Sequence, residues 1–121
     1  MDTNITVLVV EDEFLVRMAI VDHLLDEGFT VLEASNADEA VDVLAHNLSV
    51  RIMFTDIDMP GGMDGLKLAA AVRKRWPPIK IVVTSGHRVV DTNELPTEAA
   101  FFSKPYDVQA VVSTFRTMTA H

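Results

Sequence analysis

The 121-residue sequence contains no cysteine, which excludes a disulfide, a thiolate nucleophile and a metal site built on sulfur. It also lacks long apolar runs, and none approaches the roughly 18 residues of a membrane span. The segment from Met1 to Asn4 carries no positive charge of the kind that begins a secretory signal. We therefore expect a cytoplasmic protein that has no membrane partner.

Basic side chains are scarce as well. Ten Lys and Arg residues face 18 Asp and Glu residues, and the formal net charge is -8 at pH 7. Nucleic-acid-binding domains normally present a basic face, so no direct contact with nucleic acid is predicted. Because 49% of the residues are hydrophobic, disorder is not expected, and residues 1–121 suit one domain with one core.

Short apolar runs alternate with helical patterns along the chain. The five runs predicted to be strands are Ile5–Val10, Thr30–Ala34, Ile52–Thr55, Ile79–Val83 and Ala100–Ser103. Alternation of this kind predicts an α/β fold, a parallel sheet with helices on both faces. For five strands the flavodoxin-like order 2-1-3-4-5 is the common arrangement.

Four helices are predicted from apolar residues that recur every three or four positions. These residues are Phe14, Met18, Val21 and Leu25; Ala40, Val41, Leu44 and Leu48; Leu66, Ala69, Val72 and Trp76; and Val108, Val111, Val112, Phe115 and Met118. Gly28 is expected to end the first helix, and Asn36 with Glu39 forms a capping box at the start of the second. Between the fourth and fifth strands, Thr92 and Pro96 predict a short or irregular helix.

Charged residues directly follow three of the predicted strands. Glu11-Asp12 follows the first strand, Asp56 the third and Lys104 the fifth. Strands 1 and 3 are neighbours in the predicted order, so the three carboxylates should lie within several ångströms of each other at one sheet edge. Two unit charges about 4 Å apart repel by roughly 4 kcal/mol near a protein surface, and the cluster therefore predicts a bound cation.

Mg²⁺ is the expected cofactor, with Mn²⁺ or Ca²⁺ as substitutes. Mg²⁺ prefers oxygen ligands, keeps several waters and usually takes one or two carboxylates plus a phosphate. No histidine stands among these strand-end residues, so zinc is not expected. Beside a metal, a carboxylate can act as a nucleophile toward phosphorus, while the metal and a lysine stabilise the transferring oxygens.

Taken in order, these residues resemble a response-regulator receiver domain of two-component signalling, of the single-domain type. The likeness covers nearly the whole chain. Each motif is weak alone, but five in this order are a specific signal. The matching pieces are Glu11-Asp12, Asp56, Met59-Pro60 with Asp64-Gly65, Thr84, and Lys104-Pro105.

The resemblance implies that Asp56 accepts a phosphoryl group from a phosphohistidine, carried by a histidine kinase or a histidine phosphotransferase. It also implies that Asp12 ligates Mg²⁺ directly and Glu11 mostly through water. Asp56 and the backbone carbonyl of Asp58 would complete the protein ligands. The protein would signal to an output partner that the sequence does not name. It would not be an enzyme in the usual sense.

The same resemblance assigns the switch. Thr84, with Ser85 sharing its role, would hydrogen-bond the phosphoryl group, and Lys104 would pair with it. Phe101 would move into the space that Thr84 leaves, although a plain core position is an equal reading of this residue. The peptide bond before Pro105 would be cis. The chain would be a monomer, or a weak dimer that forms on phosphorylation.

Two features depart from the family pattern. Gly61-Gly62 adds one residue to the loop after Pro60, close to the acceptor. Asp58 adds a carboxylate where many relatives carry another side chain, which would alter the lifetime of the phosphoryl group in a direction that the sequence does not set.

Two other functions fit parts of the pattern. Asp56-Ile57-Asp58 is similar to the DxD motif of aspartate-nucleophile phosphohydrolases, but those enzymes place it after the first strand and carry a capping region. A flavin-binding module of the same fold needs a Ser-, Thr- and Gly-rich loop after strand 1, where Glu11-Asp12-Glu13 would repel the phosphate. Incubation with acetyl phosphate and Mg²⁺ separates the three, since the switch would gain one phosphoryl group on Asp56, the phosphohydrolase would turn over and the flavin binder would do neither.

Overall fold

The computed structural model describes residues 4–59, 64–86, 90–96 and 98–120. The strands are β1 (Thr6–Val10), β2 (Thr30–Ala34), β3 (Val50–Asp56), β4 (Lys80–Ser85) and β5 (Ala100–Ser103). The helices are α1 (Phe14–Asp26), α2 (Ala37–His46), α3 (Gly65–Arg75) and α4 (Val108–Met118). The strands form one parallel sheet in the order β2-β1-β3-β4-β5, which confirms the predicted flavodoxin-like fold.

The strand register brings the functional residues to one edge of the sheet. Val10 at the end of β1 pairs with Thr55 of β3, and Asp56 pairs with Thr84 of β4. Ser85 at the end of β4 pairs with Ser103 at the end of β5. Residues that follow β1, β3, β4 and β5 therefore emerge side by side.

The sheet is covered on both faces. One face packs on α2 and α3, around buried residues such as Leu8, Leu44 and Leu68. The other packs on α1 and α4, around Val9 and Phe115 among others. A parallel sheet that is buried on both faces needs apolar residues at successive positions, which explains the continuous apolar runs in the central strands.

The predicted buried face of α1 is wrong. Phe14, Met18 and Leu25 are 61%, 42% and 51% exposed, and only Val21 of the predicted set is buried. The buried residues of α1 are Ile20, Val21 and Leu24. Because apolar residues surround much of this helix, spacing alone could not show which stripe faces the sheet.

The other helices follow the prediction with smaller corrections. Leu48 lies beyond the end of α2 and is 86% exposed, so it is not part of the buried face. In α3 the fully buried leucine is Leu68, whereas Leu66 is only partly buried. In α4, Val111, Val112 and Phe115 are buried as expected.

The capping signals are confirmed. The Asn36 side chain accepts a hydrogen bond from the Glu39 amide at 2.8 Å, and the Glu39 carboxylate accepts from the amide and hydroxyl of Ser35 at 2.7 and 2.8 Å. The carboxylate of Glu39 thus binds the backbone amide of Ser35, which is the residue before the N-cap Asn36. Gly28 follows the C-cap of α1 with a φ of +99°, a conformation that glycine adopts without strain.

The weak helix between β4 and β5 is also confirmed. In the described part of this segment, residues 90–96 and 98–99, the helical structure is one 3₁₀ turn, Thr92–Glu94. Val90 is buried and contributes to the core beneath α3. Of the helices that the structure describes, none is long and apolar enough to cross a bilayer.

Candidate functional site

Three carboxylates meet at the edge of the sheet where β1 and β3 end. Glu11, Asp12 and Asp56 each bring an oxygen to within 4.8 Å of the others. Glu11 and Asp56 are each only 4% exposed. The proximity expected from the strand order is therefore confirmed, and two of the three charges are withdrawn from water.

Lys104 joins two of these carboxylates from the end of β5. Its Nζ lies 3.1 Å from Asp56 Oδ2 and 3.3 Å from Glu11 Oε1. The peptide bond that follows it, Lys104–Pro105, is cis, the isomer that the resemblance implies. Among the residues that the structure describes, Lys104 thus pairs with two of the three clustered carboxylates, and these groups together carry an excess of negative charge.

The burial of this excess charge perturbs the acid–base properties of the site. Burial, together with the neighbouring charge of Asp56, raises the pKa of Glu11 from 4.5 to about 7, although the Glu13 amide and Lys104 partly oppose the shift. Partial burial acts to lower the pKa of Lys104, but its hydrogen bonds and charge attraction to Asp56 and Glu11 outweigh this and raise it. Both shifts show that positive charge is favoured here.

The backbone holds Asp56 in a fixed orientation. Its Oδ1 accepts a hydrogen bond from the Asp58 amide at 3.1 Å, while Oδ2 faces Lys104. The next residue, Ile57, donates its amide to the carbonyl of Thr84 at 2.8 Å, which extends the pairing of β3 with β4 past Asp56. The two oxygens of the carboxylate therefore have different partners.

Gly65, the first residue of α3, lies directly against the backbone of this segment. A Cβ at this position would collide with the carbonyl oxygen of Asp56 and would lie 2.7 Å from the Cα of Ile57. The Asp64 side chain caps the helix by accepting from the Lys67 amide at 3.0 Å. The Asp64-Gly65 motif thus both starts α3 and permits its close approach to the site, a reason that sequence reasoning missed.

Arg17 on α1 is a further residue that sequence reasoning missed. Its Nη1 donates to the carbonyl oxygen of Glu11 at 2.6 Å, and its Nε donates to Glu33 at 3.0 Å. The guanidinium also lies 5.6 Å from the centre of the Phe14 ring. Arg17 therefore connects α1 and β2 to the loop that carries the acidic pair. Its position one turn into the helix that follows this loop was the sequence feature that could have indicated the contact.

The side chain of Asp58 contacts the end of β4 and the residue that follows it. Its Oδ2 accepts hydrogen bonds from the Ser85 hydroxyl at 2.7 Å and from the Gly86 amide at 3.2 Å. The resemblance placed Asp58 near the site through its backbone carbonyl and gave no indication of this side-chain contact, because its two donors lie 27 and 28 positions further along the chain.

The remaining predicted residues lie around the same edge. Thr84 and Ser85 are buried at the end of β4, and Thr84 is the register partner of Asp56. Phe101 is partly buried against the core beneath α2 and α3. Pro60 and the Gly61-Gly62 feature lie outside the described residues.

The donor set fits a hard divalent cation. All three clustered side chains offer carboxylate oxygens, which Mg²⁺ prefers, and nitrogen and sulfur ligands are absent from this group. The elevated pKa of Glu11 shows that an additional positive charge, a proton or a cation, is favoured at this position. The residues present can therefore hold Mg²⁺.

A family model described as "Response regulator receiver domain" matches residues 7–116. The chain belongs to this family. The receiver domain is 37% identical over 117 residues to the sensor kinase CckA of Brucella abortus (strain 2308), an alignment that covers 93% of this chain and 12% of the kinase. It is 27% identical over 118 residues to the DNA-binding transcriptional regulator NtrC of Escherichia coli (strain K12), covering 95% of this chain and 25% of that protein.

Among solved structures, a response regulator receiver protein from Pseudomonas putida superimposes on the receiver domain with a TM-score of 0.83 at 27% identity, covering 97% of this chain and 99% of that one. The two curated relatives are much longer, and the chain spans 12% of one and 25% of the other. What the comparisons share with this chain is the receiver domain.

Proposed function

We propose that this receiver domain is a phosphoacceptor switch, in which a phosphoryl group moves from a phosphohistidine to Asp56 in a reaction that depends on Mg²⁺. The observation that carries the proposal is the cluster of Glu11, Asp12 and Asp56 with Lys104 on two of its carboxylates. A nucleophile, ligands for a divalent cation and a fixed ammonium group stand together at the end of the sheet.

In this proposal Asp12 and Asp56 hold Mg²⁺ through their carboxylates, Asp58 through its backbone carbonyl, and Glu11 mostly through water. When bound, the metal supplies positive charge that stabilises the oxygens of the transferring group. Mn²⁺ and Ca²⁺ would substitute because they accept the same oxygen ligands.

The chemical step is a displacement at phosphorus. A carboxylate oxygen of Asp56 forms a bond to phosphorus while the bond from phosphorus to the imidazole nitrogen breaks, and its electron pair leaves with the imidazole. Lys104 Nζ, 3.1 Å from Asp56 Oδ2, stands where the charge of the phosphoryl oxygens would develop. The Asp58 amide on Oδ1 keeps the carboxylate oriented during the transfer.

The response follows from the new charge. Phosphorylation replaces the single charge of the Asp56 carboxylate with a phosphoryl group of about -1.5 to -2 charges and three acceptor oxygens. Thr84, its partner in the sheet, would turn its hydroxyl toward them, with Ser85 sharing this role. Phe101, which pairs with Val83, the residue before Thr84 in β4, would repack in response.

The phosphodonor is proposed to dock on α1. The exposed apolar side chains Phe14 and Leu15 begin this helix immediately after the acidic loop, at 61% and 72% exposure. An apolar groove of about 390 Å³ runs beside them, between Leu15 and Ala19 on one side and Tyr106 and Val108 on the other. A histidine kinase or a histidine phosphotransferase seated there would bring its histidine beside Asp56.

The test is phosphoryl transfer to single-site variants. With acetyl phosphate and Mg²⁺, the wild-type chain should gain one acid-stable, base-labile phosphoryl group, measured by intact-mass spectrometry. Asp56→Asn should fold and gain none, whereas Asp42→Asn, a matched change at an exposed position of α2, should be labelled like wild type. Labelling that survives in Asp56→Asn would show that another group is the acceptor.

The same experiment separates the switch from a phosphohydrolase. Asp56-Ile57-Asp58 fits the DxD pattern, but the Asp58 carboxylate accepts hydrogen bonds from Ser85 and Gly86, which occupy one of its oxygens. We therefore favour a single phosphorylation event over turnover. Release of inorganic phosphate over many cycles, in molar excess of protein and dependent on Asp58, would favour the enzyme.

A further inference from the structure

One side chain near the site is not explained by the proposed phosphotransfer. The Asp58 carboxylate accepts hydrogen bonds from the Ser85 hydroxyl at 2.7 Å and from the Gly86 amide at 3.2 Å. We call these two contacts the Asp58 bridge. It joins the loop after β3 to the end of β4.

Both sides of the Asp58 bridge are connected to the acceptor. On one side the Asp58 amide donates to Asp56 Oδ1 at 3.1 Å. On the other, the carbonyl of Ser85 accepts from the Lys104 amide at 2.9 Å. Gly86 lies against the stem of Lys104, since a Cβ at position 86 would lie 3.5 Å from the Cβ of Lys104. The bridge therefore spans the acceptor carboxylate and its lysine.

The donors in the bridge are of the kind that a phosphoryl group needs. Ser85 is fully buried, so its hydroxyl keeps an acceptor in any stable conformation. The Gly86 amide follows it along the chain and is held by the same carboxylate oxygen. A phosphoryl group on Asp56 presents three new acceptor oxygens beside the end of β4, and these oxygens and Asp58 would draw on the same donors.

We propose, on the basis of the phosphoacceptor function above, that Asp58 is a positioning residue that competes with the phosphoryl oxygens for Ser85 and Gly86. The Asp58 bridge stabilises the unphosphorylated arrangement of the β4 end and opposes its closure on a phosphoryl group. The charge of Asp58 acts in the same direction, because it repels a second anion at Asp56.

Two substitutions separate the bridge from the charge. Asp58→Ala removes the acceptor and the charge together. Asp58→Asn removes the charge but leaves a carbonyl oxygen that can accept from Ser85 and Gly86. Both keep the backbone carbonyl of residue 58 that is proposed to ligate the metal.

The first measurement needs neither metal nor phosphoryl group. Amide hydrogen exchange of ¹⁵N-labelled protein in EDTA reports on Gly86 directly. In Asp58→Ala the Gly86 amide should exchange about tenfold faster than in wild type, whereas Asp58→Asn and the surface control Asp42→Ala should stay within about twofold. Unchanged exchange in Asp58→Ala would overturn the bridge.

The second measurement is the affinity for beryllofluoride with Mg²⁺, by calorimetry. Asp58→Ala should bind about tenfold more tightly than wild type, which is the size expected for one hydrogen bond to a charged group, and Asp58→Asn should lie between them. In a Ser85→Ala background the gain from Asp58→Ala should shrink to about twofold, because the principal donor is gone. If Asp58→Ala tightens beryllofluoride binding equally in the wild-type and Ser85→Ala backgrounds, charge repulsion alone accounts for the gain. That result would overturn the proposed competition through the Asp58 bridge.

The two proposals fail in different ways. If wild type is labelled on Asp56 and binds beryllofluoride but Asp58→Ala binds it no more tightly, the competition is wrong and the phosphoacceptor function stands. If wild type neither accepts a phosphoryl group nor binds beryllofluoride, both proposals fail, whatever the exchange rate of Gly86.

Discussion

At the scale of single residues, the described part of the site has fewer positive charges than carboxylates. Lys104 is shared between Asp56 and Glu11, and Arg17 binds the carbonyl oxygen of Glu11 and not its carboxylate. Glu11 is therefore a buried acid with only partial compensation, and its pKa is raised to about 7. The same imbalance that perturbs Glu11 makes the cluster a suitable place for a divalent cation.

Glu11 should make the metal-free protein less stable as the pH rises. In the fold it keeps its proton up to about pH 7, whereas the unfolded chain releases it near the ordinary pKa of 4.5. The folded state binds more protons in that window, so stability is lost between about pH 4.5 and 7, by on the order of 3 kcal/mol. Urea unfolding in EDTA at pH 5 and pH 8 measures this.

The control for this prediction is Glu11→Gln, which cannot titrate. Over the same pH range, the free energy of unfolding of Glu11→Gln should fall less than that of wild type. The difference between the two proteins is the part of the loss that comes from the titration of Glu11. If the two proteins have parallel stability–pH curves, the elevated pKa of Glu11 is wrong.

Gly65 tests the contact between α3 and the acceptor segment. Gly65→Ala would push a methyl group into the backbone at Asp56 and Ile57, and we expect a loss of about 3 kcal/mol in the free energy of unfolding. Gly86→Ala is the matched control, because its Cβ would meet Lys104 at an ordinary 3.5 Å and should change stability by less than about 1 kcal/mol. Equal effects in chemical denaturation would contradict the packing argument.

At the scale of elements, α1 is the helix whose two apolar stripes have different tasks. Ile20 and Leu24 are buried against the sheet and α4, whereas Phe14, Leu15 and Met18 remain exposed at the end of the helix that begins beside the acidic loop. Exposed large apolar residues are a cost unless a partner covers them. Their position next to the carboxylate cluster explains why we propose that they bind the phosphodonor.

Leu15→Asp should separate docking from chemistry. Transfer from a phosphorylated histidine phosphotransferase should slow by about tenfold or more, because an apolar contact is replaced by a charge. Labelling by acetyl phosphate, which needs no docking surface, should be unchanged. Leu48→Asp, a matched change at an exposed leucine beyond α2, should affect neither reaction. Equal transfer rates for the two variants would exclude α1 as the docking helix.

At the scale of the whole molecule, the sheet joins the elements into one unit that a ligand at its edge can stabilise. β1 and β3 carry the acidic residues at their ends; β3 is the central strand of the sheet and β1 is its neighbour, and both core layers pack against them. A cation that binds Glu11, Asp12 and Asp56 thus links the ends of the two strands on which the fold depends. Binding to this edge should therefore be visible as global stability.

Mg²⁺ should raise the melting temperature. At ten times its Kd, a ligand that binds only the folded state adds about 1.4 kcal/mol, which corresponds to several degrees for a domain of this size. Asp12→Ala should abolish the rise, and it should be no less stable than wild type without metal because one repelling charge is gone. Asp22→Ala, on the exposed side of α1, should keep the full response. A wild-type melting curve that ignores Mg²⁺, with NaCl matched for ionic strength, would contradict the metal site.

The sequence by itself was sufficient for the local and periodic features. The apolar runs predicted the five strands, and the common arrangement for five such strands gave their order. Asn36 with Glu39 predicted the start of α2, and Thr92 and Pro96 predicted the poor helix before β5. These features depend on residues close together in the chain or on patterns that repeat along it. The convergence of Glu11, Asp12 and Asp56 followed because the ends of parallel strands share an edge.

Only the tertiary structure decided which surfaces meet. It turned Phe14 of α1 outward, brought Gly65 against the backbone of Asp56 and joined Asp58 to Ser85. Each of these features depends on distances between elements that are far apart in the chain. The type of a residue alone would allow it to contact several of these elements. Periodicity and charge limit those partners, but packing geometry selects among them, and it is packing that brings Asp58 to the end of β4.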